Sequence, residues 1–386
     1  MMKRLLSPKL KASIREIIII FRRCKFFARY ITDCGSLNKK RIIYIVENAN
    51  WSIRWDGINI TKRLSKRGFD AGLDVHPSFY ANRILSFGSA NVFYNLMSKR
   101  LLKKNKIVLT YFHGDFEISN TMDQQLSFVL SHKNNISALV VANKIMQERF
   151  VKWGFDPSKV HLIPLGIDVK RFSSITNEKT KKLRQKNRQK LGISEDTFVI
   201  GSFQKDGSGW GEGLTPKLIK GPDVFLEVLS KLPNREKLFC LLSGPSRGYV
   251  KQGLDKLGIA YKHFHFDNPD EVANLYALSD MYLISSREEG GPKAVLEAMA
   301  SGVPLVTTKV GMAGDIIENG VNGLMVEVND IEGLVDAISK VRNNAVLCKN
   351  LSQKASLDVS KFDWDKITLQ YEGLYSKITE IKNATD

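Results

Sequence analysis

Two glutamates, Glu289 and Glu297, stand with seven residues between them in the stretch Ser285 to Val310, SSREEGGPKAVLEAMASGVPLVTTKV. Gly290, Gly291 and Pro292 follow the first glutamate, and Lys293 and Ala294 come next. Carboxylates accept hydrogen bonds and repel phosphates, so the pair suits hydroxyl groups. Glycines let a ligand come close to the backbone, and the N–H groups at the start of a helix attract anions. Together these residues could hold a molecule bearing both hydroxyls and phosphates, as a nucleotide sugar does. An ordinary strand-turn-helix unit with solvated glutamates would show the same spacing.

Positive charge for such a ligand stands nearer the middle of the chain. The loop FQKDGSGWGEGLTPKLIKGPD has Lys205 near its start and Lys220 beside Gly221 and Pro222 at its end. Two ammonium groups near a helix N-terminus could clamp a diphosphate, although lysines near loops are more often solvated. No G-x-x-x-x-G-K-[ST] phosphate loop occurs there. Earlier in the chain, His113 and Gly114 follow the apolar run Ile107 to Phe112, at the strand end where parallel sheets bind ligands. A satisfied loop histidine is the plain alternative. Gly57, in a loop with Trp51, Trp55 and Asp56, precedes a helix expected over Ile58 to Lys66, and could approach a ligand from the opposite side of a cleft. A helix-start glycine with an acidic neighbour is the competing reading.

The elements that must position these residues alternate. Met281 to Ser285 reads as a buried strand, Lys293 to Ala300 as a helix stopped by Gly302, and Pro304 to Thr308 as the next strand. Strands are expected at Ile42 to Val46, weakly at Gly72 to Val75, and at Ala138 to Ala142 and Val160 to Ile163 in the first half. In the second half they are expected at Thr197 to Phe203, Lys237 to Ser243 and Tyr261 to Phe266. Helices lie between them. The pattern predicts an α/β protein with two Rossmann-like, doubly wound domains facing each other. The expected division is a basic extension over 1–40, a first domain over 41–170, a linker over 171–196, a second domain over 197–364 and a C-terminal helix over 365–386 packing back on the first domain.

Composition narrows the classes. A hydrophobic content of 43% in 386 residues supports packed cores and two domains. Cys24, Cys34, Cys240 and Cys348 have no paired or metal-ligand spacing, which points to reduced thiols in a cytosolic protein without structural zinc. The net charge of +18 is uneven: residues 1 to 41 hold twelve Lys/Arg against Glu16 and Asp33, a net +10, leaving +8 for the rest. There Ile14, Ile17, Ile18, Phe21, Cys24, Ala28 and Ile31 recur at helical spacing, with Arg15, Arg22 and Arg29 on another face. Such a basic amphipathic helix suits an anionic membrane surface, or else docks on the protein itself. No apolar run reaches membrane-spanning length and no nucleic-acid motif is present. Asn177 to Lys190, with seven Lys/Arg, reads as a solvated helix before the second domain.

The pieces resemble the retaining GT-B glycosyltransferases of family 4. The resemblance rests on EGGPKAVLEAMASGVP from Glu289 to Pro304, the His113-Gly114 pair, VHLIPLGIDVKRF, Lys220-Gly221 and GMAGDIIENGVNGLMV, and it runs from about Arg41 to Ser360. It implies that Glu289 binds the donor sugar's hydroxyls and Glu297 those of the ribose. Backbone N–H groups near Gly290, Gly291, Lys293 and Ala294 would face sugar and phosphate. Lys205 and Lys220 would neutralise the departing diphosphate, His113 would sit by the sugar and Gly57 would pass close to the diphosphate. Lys205 stands where many members have Arg, Pro292 where a Gly would add an N–H, Asp56-Gly57 where many have two glycines, and Asp315 where many have Glu. The expected activity is transfer of a hexosyl unit from a UDP- or GDP-sugar to a lipid-linked or saccharide acceptor, at the inner face of the membrane, with no cofactor and no metal. A sugar-nucleotide epimerase, a phosphorylase or a non-catalytic membrane-binding subunit are the alternatives.

Overall fold

The computed structural model describes residues 41–49, 52–78, 80–112, 120–172, 178–209, 211–266 and 271–380. The basic segment 1–40 and His113 lie outside them. In the first domain the strands are β1 (Ile42–Ile45), β2 (Ala71–Asp74), β3 (Ile84–Phe87), β4 (Lys106–Tyr111), β5 (Ile136–Val141) and β6 (Val160–Leu162). Its helices are α1 (Ser52–Lys66), α2 (Ala90–Leu96), α3 (Lys99–Lys104), α4 (Asn120–Ser131) and α5 (Lys144–Lys152). The second domain begins with α6 (Glu178–Lys190). It continues through β7 (Phe198–Phe203), α7 (Pro222–Lys231), β8 (Leu238–Ser243), α8 (Gly248–Leu257), β9 (Ala260–Phe264), α9 (Val272–Leu278), β10 (Met281–Ile284), α10 (Lys293–Ser301), β11 (Leu305–Thr308), α11 (Ala313–Ile316), β12 (Leu324–Val326), α12 (Ile331–Asn343) and α13 (Ala345–Asp358). The last described element is α14 (Trp364–Glu380).

Both sheets are parallel, in the orders β2-β1-β3-β4-β5-β6 and β12-β11-β10-β7-β8-β9. Helices cover both faces of each, which is why the strands are near-continuous apolar runs such as IIYI, IVLTY and FCLL with no polar alternation. The winding reverses where β1 lies between β2 and β3, and again where β7 lies between β8 and β10. At such reversals the loops leaving neighbouring strands diverge and open a crevice at the strand ends. The Lys205 loop leaves β7 and the Glu289 loop leaves β10, so the second reversal puts them side by side.

Three differences from the sequence reading bear on the site. First, α1 begins at Ser52, so Trp55, Asp56 and Gly57 sit within the helix and not in a loop before Ile58. A Cβ on Gly57 would lie 2.7 Å from Leu73 and 2.9 Å from Tyr44 side-chain atoms, so the close approach this glycine allows is of helix to sheet. Second, Ile84–Phe87 is a strand that the pattern did not mark, and it is central, hydrogen-bonded to both β1 and β4. Third, the basic helix α6 is docked on the second domain. Arg188 donates to Leu278 O at 2.6 Å and to Asp280 at 2.8 Å, and Arg184 also binds Asp280.

The core of the first domain is finished by α14. Trp364, Ile367, Tyr371, Leu374, Tyr375 and Ile378 of α14 pack with Ile42, Tyr44, Ile60 and Leu64, and Tyr375 OH donates to Ser86 Oγ on β3 at 2.8 Å. The two passes between domains run together, with Trp364 N donating to Ile167 O at 3.0 Å and Ile167 N to Phe362 O at 2.9 Å. The Trp364 ring covers Gly166 so closely that a Cβ there would lie 2.3 Å from it. Among the described residues no helix is long and apolar enough to cross a membrane.

Candidate functional site

The crevice is built by a short turn pressed against the Glu289 loop. Residues Leu218–Lys220 form a single 3-10 turn that ends at Gly221 with φ +60°, a left-handed conformation that favours glycine. A Cβ at Gly221 would also lie 1.9 Å from Ser285 O, so two constraints fix the residue type. Ser285 Oγ donates to Gly221 O at 2.8 Å, and Arg287 N and Glu288 N both donate to Ile219 O. This lacing delivers Lys220 to Glu289, Nζ to Oε2 at 2.6 Å, while Ser286 Oγ donates to Oε1 at 2.9 Å. Both carboxylate oxygens are therefore held, and Glu289 is buried.

A third lysine joins the two expected from sequence. Burial and the neighbouring Lys220 charge hold the Lys217 ammonium below its ordinary value, with Lys205 acting the same way and Glu289 opposing them. Lys205, Lys217 and Lys220 thus share one electrostatic neighbourhood with the carboxylates of Glu289 and Asp206, the second of which also faces Arg247, a local excess of positive charge suited to a polyanion. Lys217 was not picked from the sequence. Its signal was present in PKLIK, where Lys217 and Lys220 are three apart beside the glycine.

The loop carrying these lysines is anchored from beneath. Arg247, 1% exposed, donates to the carbonyls of Ser202 at 2.6 Å, Gln204 at 3.1 Å and Ser243 at 3.1 Å, joining the ends of β7 and β8. Its Nε lies 3.0 Å from Asp206 Oδ1, and Asp206 O accepts from Lys217 N at 2.7 Å. Burial pushes the Asp206 carboxyl up and the guanidinium down, and each partner's charge opposes the shift of the other.

Helix α10 opens at Pro292 with no side chain capping it, leaving its first N–H groups, at Lys293 and Ala294, on the crevice side of the Glu289 loop. Glu297, one turn further on, accepts from Tyr276 OH at 2.8 Å, and burial raises its carboxyl above the usual range. The Lys293 side chain reaches the first domain, where its ammonium meets buried Asp56 and lies 5.9 Å from the Trp364 ring centroid.

Gly290 and Gly291 were expected to admit a ligand, and the structure shows what they touch. A Cβ on Gly290 would lie 2.1 Å from Phe112 O, and one on Gly291 would lie 2.7 Å from Leu165, both in the first domain. Asn143 caps α5 by accepting from Met146 N at 2.8 Å and donates to Gly290 O at 2.6 Å. Lys144 N donates to Asp315 Oδ2 and Arg149 Nη1 to Glu288 Oε1, each at 2.8 Å. The glycines therefore let the two domains close on each other beside the crevice. Phe112, the residue before His113, sits at this contact. Gly290→Ala is expected to lower stability by about 1–3 kcal/mol through overpacking against a backbone carbonyl. An unchanged urea midpoint would show that the domains can part there freely.

Two doubly wound parallel domains closing over a crevice define the GT-B class. The family model for glycosyl transferases group 1 matches residues 214–358, which include Lys217, Lys220, Glu289 and Glu297. It is 24% identical over 254 residues to the D-inositol 3-phosphate glycosyltransferase of Corynebacterium jeikeium, covering 62% of this chain and 57% of that protein. Over 140 residues it is 34% identical to the N-acetyl-alpha-D-glucosaminyl L-malate synthase of Bacillus anthracis, covering 36% and 37%. The chain thus spans less than two thirds of either relative's length. The solved structure of Anabaena Alr3699/HepE in complex with UDP and glucose shares the fold with a TM-score of 0.70 at 19% identity, over 87% of this chain and 99% of that one.

Proposed function

We propose that this chain is a retaining glycosyltransferase that moves a hexosyl unit from a UDP- or GDP-sugar to an acceptor alcohol in surface polysaccharide or glycolipid synthesis. The observation that carries it is the meeting of Lys205, Lys217 and Lys220 with Glu289 where β7 and β10 diverge, beside the uncapped start of α10. The lysines and helix N–H groups would take the diphosphate, Glu289 the sugar hydroxyls and Glu297 those of the ribose. On arrival of the donor, Lys220 turns from Glu289 to phosphate, which frees that carboxylate for a hydroxyl. Attack from the face of the leaving group, whose phosphate accepts the acceptor's proton, retains the anomeric configuration, and positioning with charge stabilisation supplies the rate. The names of the relatives, all transferring a glycosyl group or joining a glucosaminyl group to malate, agree in reaction class. Residues 1–41 would hold the enzyme on the anionic inner face of a membrane, with the acceptor in or near that surface.

The test is release of UDP or GDP from a panel of sugar nucleotides, with and without a lipid extract. Acceptor-dependent release from one donor is expected, and three lysines in place of a metal lead us to expect a rate within twofold when EDTA is added. Conversion of a donor to another sugar nucleotide without release would instead mark an epimerase and overturn the reading.

A further inference from the structure

Between Asp74 and Asp115 the chain carries no acidic residue, while six Lys/Arg stand there, five of them within 99–106. Those five, Lys99, Arg100, Lys103, Lys104 and Lys106, are all exposed, and none has an ion-pair partner among the described residues. Leu101, 1% exposed, and half-buried Leu102 fasten α3 to the first core, so the cations sit outward on a fixed element. Their placement works against the helix that carries them. Lys99 and Arg100 lie in its first turn, where the helix dipole favours acids. Lys99 with Lys103 and Arg100 with Lys104 are like charges four apart, which destabilises a helix. A negatively charged counter-surface relieves both effects. The patch also adjoins the point where the basic segment meets the domain. Asn82 N donates to Lys104 O at 2.7 Å, Lys106 N to Arg83 O at 2.9 Å and Ile84 N to Arg41 O at 3.0 Å, which laces the end of α3 and the starts of β1, β3 and β4 into one edge. Arg41 is exposed on it, and residues 1–41 bring a net +10 to the same edge. Because the strands are parallel, this edge lies at their amino ends and the crevice at their carboxyl ends.

We infer that α3 and the amino ends of β1, β3 and β4 form a docking surface for anionic lipid, continuous with the basic segment that joins them at Arg41. The inference goes beyond the glycosyltransferase reading and shares with it only the anionic membrane. Charge complementarity fits a lipid plane, to which several unpaired cations on one edge can attach at once. Half-buried Leu96, Met97 and Leu102 lie beside the cations, where a bilayer interface offers apolar contact. Residues 99–106 include no aromatic side chain on which a nucleic-acid base could stack. Docking at this edge does not cover the crevice.

The full chain is mixed with vesicles of equal parts phosphatidylglycerol and phosphatidylcholine, and bound protein is measured by co-sedimentation at moderate salt. Wild type is compared with Lys99→Ala/Lys103→Ala/Lys104→Ala and with a control that removes three exposed lysines of α6, Lys182→Ala/Lys186→Ala/Lys190→Ala. Each basic residue near an anionic leaflet strengthens binding about fivefold, and residues 1–41 stay intact in every variant. The α3 variant is therefore expected to bind at least tenfold more weakly and the control to stay within twofold. The urea midpoint of the α3 variant is expected at or above that of wild type, because the like-charge pairs are relieved, so the loss is one of binding and not of folding. Vesicle binding by the α3 variant within twofold of wild type overturns the inference, as does an equal loss in the control. Binding to a mixed-sequence DNA duplex is measured alongside, and a larger loss there than on vesicles overturns lipid as the partner. Release of UDP or GDP from sugar nucleotides is followed separately. Vesicle binding that depends on α3 in a chain that releases no nucleotide leaves the docking surface standing and removes the glycosyltransferase reading, whereas turnover with binding independent of α3 does the reverse.

Discussion

Lys220→Ala is expected to reduce donor turnover about a hundredfold or more, with the loss in kcat and kcat/KM together. Removing one preorganised group that meets charge developing in the transition state has effects of about 10²–10³. Lys220 is the lysine best placed for that role. It is fixed by the Gly221 turn, its ammonium lies 2.6 Å from Glu289, and its side chain is only 18% exposed. The substitution also strands a buried carboxylate, so stability must be separated from catalysis. Glu289 keeps its bond from Ser286 Oγ, which limits the damage. Paired measurement of the urea midpoint and the rate, with Lys220→Ala and Lys220→Ala/Glu289→Gln, makes the distinction: the second variant restores stability but not turnover. A wild-type rate in Lys220→Ala would remove the diphosphate clamp from the mechanism.

Arg247→Met carries the larger expected effect on folding. Its guanidinium satisfies three backbone carbonyls and Ser202 Oγ while facing Asp206, all in a setting where both charged side chains are 1% exposed or less. Breaking such a pair leaves a buried charge with no partner, at about 3–5 kcal/mol. Replacing both members by apolar residues is often nearly neutral. The expected order of unfolding midpoints is therefore wild type highest, Arg247→Met/Asp206→Leu next and Arg247→Met lowest, since the double variant removes the stranded carboxylate while the carbonyls of Ser202, Gln204 and Ser243 lose their donor in both. A midpoint for Arg247→Met within about 1 kcal/mol of wild type would mean that water reaches the pair. The double variant is also expected to lose activity despite its stability, because Asp206 and Arg247 set the path of the loop between Lys205 and Lys217.

What could be read from the sequence was whatever repeats locally. The strands that become β4, β5, β7 and β8 are buried on both faces and so are unbroken apolar runs, and the glycine and proline that bound α7 and α10 are local signals. Strand β3 was missed because Ile84–Phe87 is four residues with a serine inside, and its strand character comes from lying between β1 and β4. The start of α1 was placed late because Asp56-Gly57 has the form of a helix start, whereas burial against Leu73 and Tyr44 is what selects that glycine. The pairing of Lys220 with Glu289 could be guessed only as two halves of a site. Its geometry depends on β7 and β10 being neighbours across 77 positions of sequence between Phe203 and Asp280. The Arg247–Asp206 pair, the third lysine and the Asn143 contact to Gly290 lie beyond local pattern altogether, since each is made by tertiary packing between distant segments.

The return of α14 to the first domain has a consequence in time. A chain made from its N-terminus exposes Tyr44, Ile60 and Leu64 as soon as the first domain has emerged, yet the residues that cover them, Trp364 to Ile378, follow only after the whole second domain. At roughly 5–20 residues per second, the intervening stretch of about 200 residues takes roughly 10–40 s to synthesise. For that period the first domain is an open sheet face beside a ribosome. The time needed to make the second domain is therefore a window in which this face can meet another chain before α14 covers it.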